Sequence, residues 1–243
     1  METISSGISK LEINGSTAVL TIENGRKNLL TEPEFIELDV LRKAVESNPQ
    51  LTSFVITGAG RHFSHGADVS LFDSEEAGRS TNEKLERSKE LLSYIENLPM
   101  VTAAAINGGC FGGGLEIALS CQFRICSKSA VLGLPEIMHG VVPGMCGIER
   151  LTRLVGKRKA LAMILSGEMV TASDALEIGI VDKISEDKNC LEETVRYVTG
   201  LTEGKSALQI RAITSIANAA AGGSAENHSA GIFEKLLEAR RGE

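Results

Sequence analysis

The stretch VTAAAINGGCFGGGLEIALSC, residues 101–121, decides the fold. Val101 to Ile106 is a short continuous apolar run, the pattern of a strand covered on both faces. Asn107-Gly108-Gly109 ends it, and Gly112-Gly113-Gly114 opens an apolar helix expected from about 114 to 121. A buried strand feeding a helix is the building unit of an α/β protein. The glycines also leave free N–H groups and the positive end of the helix dipole above the strand end. Glu116 stands three residues past Gly113, on the same face of the first turn. Such donors could stabilise a carbonyl oxygen that gains negative charge. Equally, Glu116 could merely offset the dipole while the glycines pack tightly.

Working outward, a second carboxylate lies in GLPEIMHG, residues 133–140: Glu136, just before the Gly- and Pro-rich loop GVVPGMCG. Two neighbouring glutamates can divide acid and base work on one substrate. Upstream, FSHGAD, residues 63–68, comes after Gly58-Ala59-Gly60. There Gly66-Ala67 can turn an amide inward, with Asp68 placed to cap the next segment of chain. Gly58-Ala59-Gly60 is not a dinucleotide fingerprint, since the third glycine is absent. No Gly-Lys-Ser or Gly-Lys-Thr marks a phosphate loop.

The rest of the chain alternates strand and helix patterns. Strands are expected over 8–13 and 18–22 around Asn14-Gly15, then over 51–57, 123–126, near 131, and over 180–184. Helices are expected over 34–47 (with Pro33 at its start), 80–97, 150–165 and 172–178. Further helices are expected over 190–201, 207–220 and 230–241. This predicts an α/β core over 1–190 and a helical region over 191–243.

Composition narrows the function. With 243 residues and 42% apolar content, the chain suits a soluble domain with a sizeable core. A net charge of −7 without basic runs argues against nucleic acid as a partner. No signal peptide and no membrane-spanning stretch is expected. Five cysteines without CxxC pairing suit reduced thiols in a cytoplasm and no metal site.

Three segments in order carry a resemblance: TGAGRHFSHGADVSLF (57–72), AAAINGGCFGGGLEIALSCQFRI (103–125), and the run from GLPEIMHG to GIVDKI (133–184). They look like the enoyl-CoA hydratase/isomerase (crotonase) family, from about residue 8 to 184. The resemblance implies a spiral of repeated ββα turns with parallel sheets. The helical region after it would build a homotrimer or a dimer of trimers. The amides of Ala67 and Gly113 match the oxyanion hole for an acyl thioester. Glu116 and Glu136 match the glutamates that position water and move protons, and Gly144 matches a donor near that water. Arg26, Lys27 and Asn28 fall near the coenzyme A nucleotide, and His65, Gly66, Asp68 and Met145 beside the substrate. Coenzyme A is then part of the substrate, with no separate cofactor.

Relatives similar to isomerases generally keep only the carboxylate at the Glu136 position. Both are present, so hydration of a trans-2-enoyl-CoA, or the reverse dehydration, is the favoured activity. The alternatives are an isomerase, a specialised dehydratase, or a non-catalytic acyl-CoA binding protein. Some residues depart from the family pattern. Phe111, Met145 and Cys146 add bulk beside the acyl pocket, suggesting a short or unusually shaped acyl group. The chain ends at Glu243, where relatives often continue, so different lid and trimer contacts are expected. His65 replaces a small residue, and a packing or nucleotide-pocket role is expected for it. His139 could touch Glu136 but is assigned a structural role. His62 and His228 are expected to face solvent, and Cys110 and Cys146 to serve as small apolar packing.

Overall fold

Strand pairing tracks the apolar runs. A computed structural model describes residues 2–31, 34–68, 77–186 and 189–221. The strands β1 (Glu2–Ser6), β2 (Ser9–Asn14) and β3 (Thr17–Ile22) form an antiparallel meander. From β3 onward the pairing turns parallel, through β4 (Ser53–Gly58), β5 (Val101–Ile106), β7 (Phe123–Ser127) and β10 (Lys183–Ser185). The result is one 7-stranded sheet in the order β1-β2-β3-β4-β5-β7-β10. Short strands β6 (Gly109–Phe111), β8 (Val131–Gly133) and β9 (Val170–Thr171) make a second sheet of three. Thus β5-β6 and β7-β8 each send their first strand to the large sheet and their second to the small one. These are the expected ββα turns, completed by α3 (Gly113–Leu119) and α4 (Gly147–Val155).

Every residue of β4 and β5 is buried because the sheet is covered on both faces. Side-chain alternation with period two then splits each strand between two cores. Phe54, Ile56, Ala104 and Ile106 join the larger core, which includes Leu41 of α1 (Leu38–Glu46) and Leu92 of α2 (Ala77–Glu96). Val55, Ala103 and Ala105 face the other way. There they meet Cys190 and Val198 of α7 (Cys190–Thr202) and Ile210 of α8 (Ala207–Ala221).

Several boundaries differ from expectation. The first helix begins at Leu38 rather than 34, because Phe35 and Ile36 enter the core as irregular chain. The single helix expected over 150–165 is two, α4 and α5 (Lys157–Ser166), broken at Gly156, whose φ is 82°. The strand expected over 180–184 is displaced to β10, since Ile180 and Val181 pack into the turn after α6 (Ala172–Ile178). Strands β1 and β6 were absent from the sequence pattern. Pro33, His228 and the helix expected over 230–241 lie outside the described residues. No described helix is long and apolar enough to cross a membrane.

One polar residue ties the loops at the strand ends together. Asn28 is fully buried with φ 49°. Its Nδ2 donates to the carbonyls of Ala59 (2.9 Å), His62 (2.8 Å) and Phe63 (3.3 Å), while Oδ1 accepts from the Asn24 amide at 3.1 Å. It is therefore turned into the protein, contrary to its expected place beside a nucleotide. Replacing Asn28 with Leu would strand buried carbonyls, and unpaired buried groups cost about 1–3 kcal/mol each. Urea unfolding of Asn28→Leu should show a loss of about 3 kcal/mol. A loss under about 1 kcal/mol would show that the clamp is dispensable.

Candidate active site

The loops leaving β4 and β5 are laced together above the sheet. Asn107 Nδ2 donates to the carbonyls of Gly58 (2.9 Å) and Gly60 (2.6 Å). Ser64 pairs with Cys110, and Ala67 with Leu30, as isolated parallel bridges. Gly66 makes the closest approach, with φ 79°, a backbone that glycine adopts without strain. A Cβ built on it would lie 2.6 Å from the Phe111 carbonyl oxygen and 3.0 Å from the Gly113 nitrogen. So the structure brings the Gly66-Ala67 turn against the first turn of α3. Ala67 is exposed there and Gly113 is buried. The first amides of a helix have no acceptor within it.

Glu116 is 2% exposed on α3, every residue of which is buried. Its Oε1 accepts hydrogen bonds from the amides of Met145 (2.7 Å) and Gly147 (2.8 Å). Cys146, between them, holds the left-handed conformation, φ 67° and ψ 30°. That bend directs both flanking amides at one oxygen. Gly147 admits no side chain, because a Cβ would stand 2.7 Å from Glu116 Cγ. Burial raises the Glu116 pKa, while the two amide donors and the Arg150 charge oppose the rise.

Glu136 opens a short 3-10 helix, Glu136–His139, just after β8. The parallel pairing of β6 with β8 and a bond from the Gly112 amide to the Gly133 carbonyl (2.9 Å) bring it beside α3. Gly112 has φ 54°, and a Cβ there would sit 3.2 Å from Glu136 Oε1. The other oxygen, Oε2, is buried and has no hydrogen-bond partner. Burial, first, and the nearby Glu116 charge raise the Glu136 pKa to about 7. The two carboxyls thus differ in their surroundings: Glu116 Oε1 has two amide donors, while Glu136 Oε2 has none.

Apolar side chains close around these groups. Met145 Cε and Leu30 Cδ1 lie 2.8 and 2.9 Å from the position a Gly113 Cβ would take. Leu85 of α2 stands 3.0 Å from the same position at Gly144. Met145 therefore packs against Gly113, and Gly144 faces α2. Arg26 and Lys27 are exposed on the neighbouring loop, where their charges reach His62. Asp68 is half-buried beside Ala67.

The histidines correct one expectation. His62 does not simply face solvent: it is half-buried, and its Nδ1 accepts from the Gly109 amide at 3.1 Å. The His65 ring stands edge-on to His62 (4.5 Å between centroids) and to Phe111 (4.8 Å), which fits the expected packing role. Burial lowers the pKa of both. His139 is exposed. Cys110 is fully buried as expected, whereas Cys146 is half-buried and acts through its backbone. Sequence reasoning missed Leu30, Leu85, the Gly147 amide and the buried Arg150. Gly147 closes the GVVPGMCG loop, but nothing in that loop or around Leu30, Leu85 and Arg150 signals these contacts, so only three dimensions identify them.

The family model for enoyl-CoA hydratase/isomerase matches residues 12–239. A probable enoyl-CoA hydratase of Bacillus subtilis (strain 168) is 39% identical over 178 residues, 73% of this chain and 69% of that relative. The crystal structure of an enoyl-CoA hydratase from Geobacillus kaustophilus HTA426 superposes with a TM-score of 0.87 at 25% identity, covering 97% of this chain and 90% of that one. DspI of Pseudomonas aeruginosa gives 0.81 at 28% identity, over 97% and 96%. The chain belongs to the enoyl-CoA hydratase/isomerase family.

Proposed function

We propose that the protein adds water across the double bond of a trans-2-enoyl-CoA, or runs the reverse dehydration of a 3-hydroxyacyl-CoA. The observation that carries this reading is the unequal treatment of the two glutamates. Glu116, held by two amides, is the acceptor: it takes a proton from water as the oxygen attacks Cβ. Glu136, with a buried unpartnered oxygen and a pKa near 7, is the donor to Cα. In between, the electron pair rests on the thioester oxygen, over the amides of Ala67 and Gly113. The Gly144 amide orients the water. Proton exchange between the two acids then restores the resting state. Arg26 and Lys27 offer charge to the coenzyme A phosphates, beside the turn formed by His65, Gly66 and Asp68. Protons and electrons balance across these steps with the two carboxyls and the amides.

An acid–base group contributes about 10²–10⁴-fold. Glu116→Gln and Glu136→Gln should each lower crotonyl-CoA hydration by that factor, read as loss of the conjugated thioester absorbance. Retention of double-bond isomerisation by Glu116→Gln would instead indicate an isomerase working through Glu136 alone. The pH dependence has a definite sign. Both directions pass through the same singly protonated pair, so hydration and dehydration should fall together as pH rises through about 7 and Glu136 loses its proton. Hydration turnover that keeps climbing to pH 9 or so would reverse the assigned roles.

Met145 and Leu30 crowd Gly113, which favours a short acyl chain. Turnover of a C4 enoyl thioester should exceed that of a C10 one, and the opposite order would refute this.

The same reading includes a homotrimer or a dimer of trimers. The short helix and loop that carry Glu136 expose Met138 (70%) and Val142 (69%). Leu165 of α5 is 63% exposed, and Met138 packs against Gly167 at the end of that helix. An apolar face this continuous suits a second copy of the chain. A Met138→Glu, Val142→Glu variant should elute as a smaller species in size-exclusion chromatography with light scattering. Unchanged mass would place the subunit contact elsewhere.

A further inference from the structure

Arg150 is 5% exposed, a buried cation that the proposed reaction does not use. Its Nη1 donates to the Met145 carbonyl at 2.6 Å, and its Nε to Glu96 Oε2 at 3.0 Å. Glu96 is the last residue of α2, and its other oxygen accepts from Arg153 at 2.7 Å. Met145 is therefore gripped at both ends of its backbone. Its amide holds Glu116 Oε1, and its carbonyl is held by Arg150. The turn between them is the left-handed Cys146. We infer that Arg150, itself oriented by Glu96, is a positioning residue that fixes the amide pair holding the Glu116 carboxylate.

A guanidinium suits this task because its rigid fork serves two acceptors at fixed angles, which an ammonium does not. The placement also has an electrostatic consequence. Glu116 feels Arg150 and Glu149 from α4 and the Glu136 carboxyl from the 3-10 helix, with Glu96 behind Arg150. Of these only Arg150 favours the ionised carboxylate. Without it, the loop slackens and Glu116 holds its proton to higher pH. Misplacing a reacting group by about 1 Å costs on the order of 10²-fold.

The inference rests on the hydratase reading above, so its test uses two independent readouts on the full chain. One is the pH dependence of kcat and KM with crotonyl-CoA. The other is the titration of the Glu116 carboxyl, observed by NMR on protein labelled with carboxyl-13C glutamate and assigned by its absence in Glu116→Gln. Arg150→Met should lower kcat about 10–100-fold with KM changed less than about threefold, and move both the acid limb and the Glu116 titration to higher pH. Arg150→Lys keeps the charge and loses the fork, so kcat should fall while the acid limb stays near that of the wild type. Arg153→Met, which removes an exposed cation from the same Glu96, should leave both readouts within about twofold of wild type.

If Arg150→Met does not fold, Arg150→Gln and Arg150→Lys carry the comparison. A lowered melting temperature with unchanged kcat and pH limb would make Arg150 merely structural and overturn the inference. So would an Arg153→Met effect equal to that of Arg150→Met. If the wild type turns over no enoyl thioester, the hydratase reading fails, and the titration alone decides. An unmoved Glu116 signal in Arg150→Met and Arg150→Gln then overturns the positioning role as well.

Discussion

A carboxyl group taken out of water must either find hydrogen-bond donors for its charge or keep its proton, because an unpaired buried charge costs several kcal/mol. Glu116 and Glu136 meet this constraint with different surroundings. Two amides from the loop before α4 stand ready for Glu116 Oε1, whereas Glu136 Oε2 is buried without a donor. Burial raises the pKa of both, but only Glu116 has amide donors that oppose the rise from a neighbouring loop, so the same chemical group sits in two different environments a short way apart. The surrounding fold serves to keep these two environments apart while keeping the groups close.

The sheet supplies that rigidity. Strands β3, β4 and β5 run parallel, so their C-terminal ends release three loops side by side, where α/β sheets commonly place ligands. Asn28 and Asn107 bind these loops through side-chain amides, and Ser64 Oγ donates to the Asn28 carbonyl at 2.7 Å. Both faces of β4 and β5 are packed, which leaves the strands no freedom to shift beneath the site. The small sheet then carries the chain from Phe111 to Gly112 and from Gly133 to Glu136, so one pair of parallel strands sets the spacing of both carboxyl-bearing segments.

Much of this was legible in the sequence. The apolar run 101–106 and the glycines after it foretold β5 and α3, because a continuous apolar strand and a glycine-opened helix each have one common reading. The two glutamates stood out through the glycine and proline around them. Illegible features depended on partners distant in sequence. β1 is an edge strand with most of its residues exposed, so it carries no apolar alternation. The break at Gly156 looked like continuous helix because apolar residues kept their spacing on either side of it. Arg150 gave no sign of burial, since a lone arginine in an amphipathic helix usually reaches solvent. The solvent-facing expectation for His62 failed because the Gly109 amide, 47 positions away, needed an acceptor.

The glycines show why the parts of the site depend on one another. At Gly66, the space a side chain would fill holds the Phe111 carbonyl and the Gly113 amide. At Gly112 it adjoins Glu136, and at Gly147 it holds Glu116. Each glycine belongs to one loop and is required by an atom of another, so no loop can adopt its shape alone. Adding a methyl group at Gly66 or Gly147 would push on a backbone carbonyl or the root of the Glu116 carboxyl, with no cheap relaxation, and at Gly112 it would press the Glu136 carboxyl from a left-handed backbone that suits glycine. In the sequence, a glycine run only permits an unusual backbone. In this fold three of them mark the contacts at which the β4 loop, the first turn of α3, the Glu136 segment and the loop before α4 are forced into one arrangement.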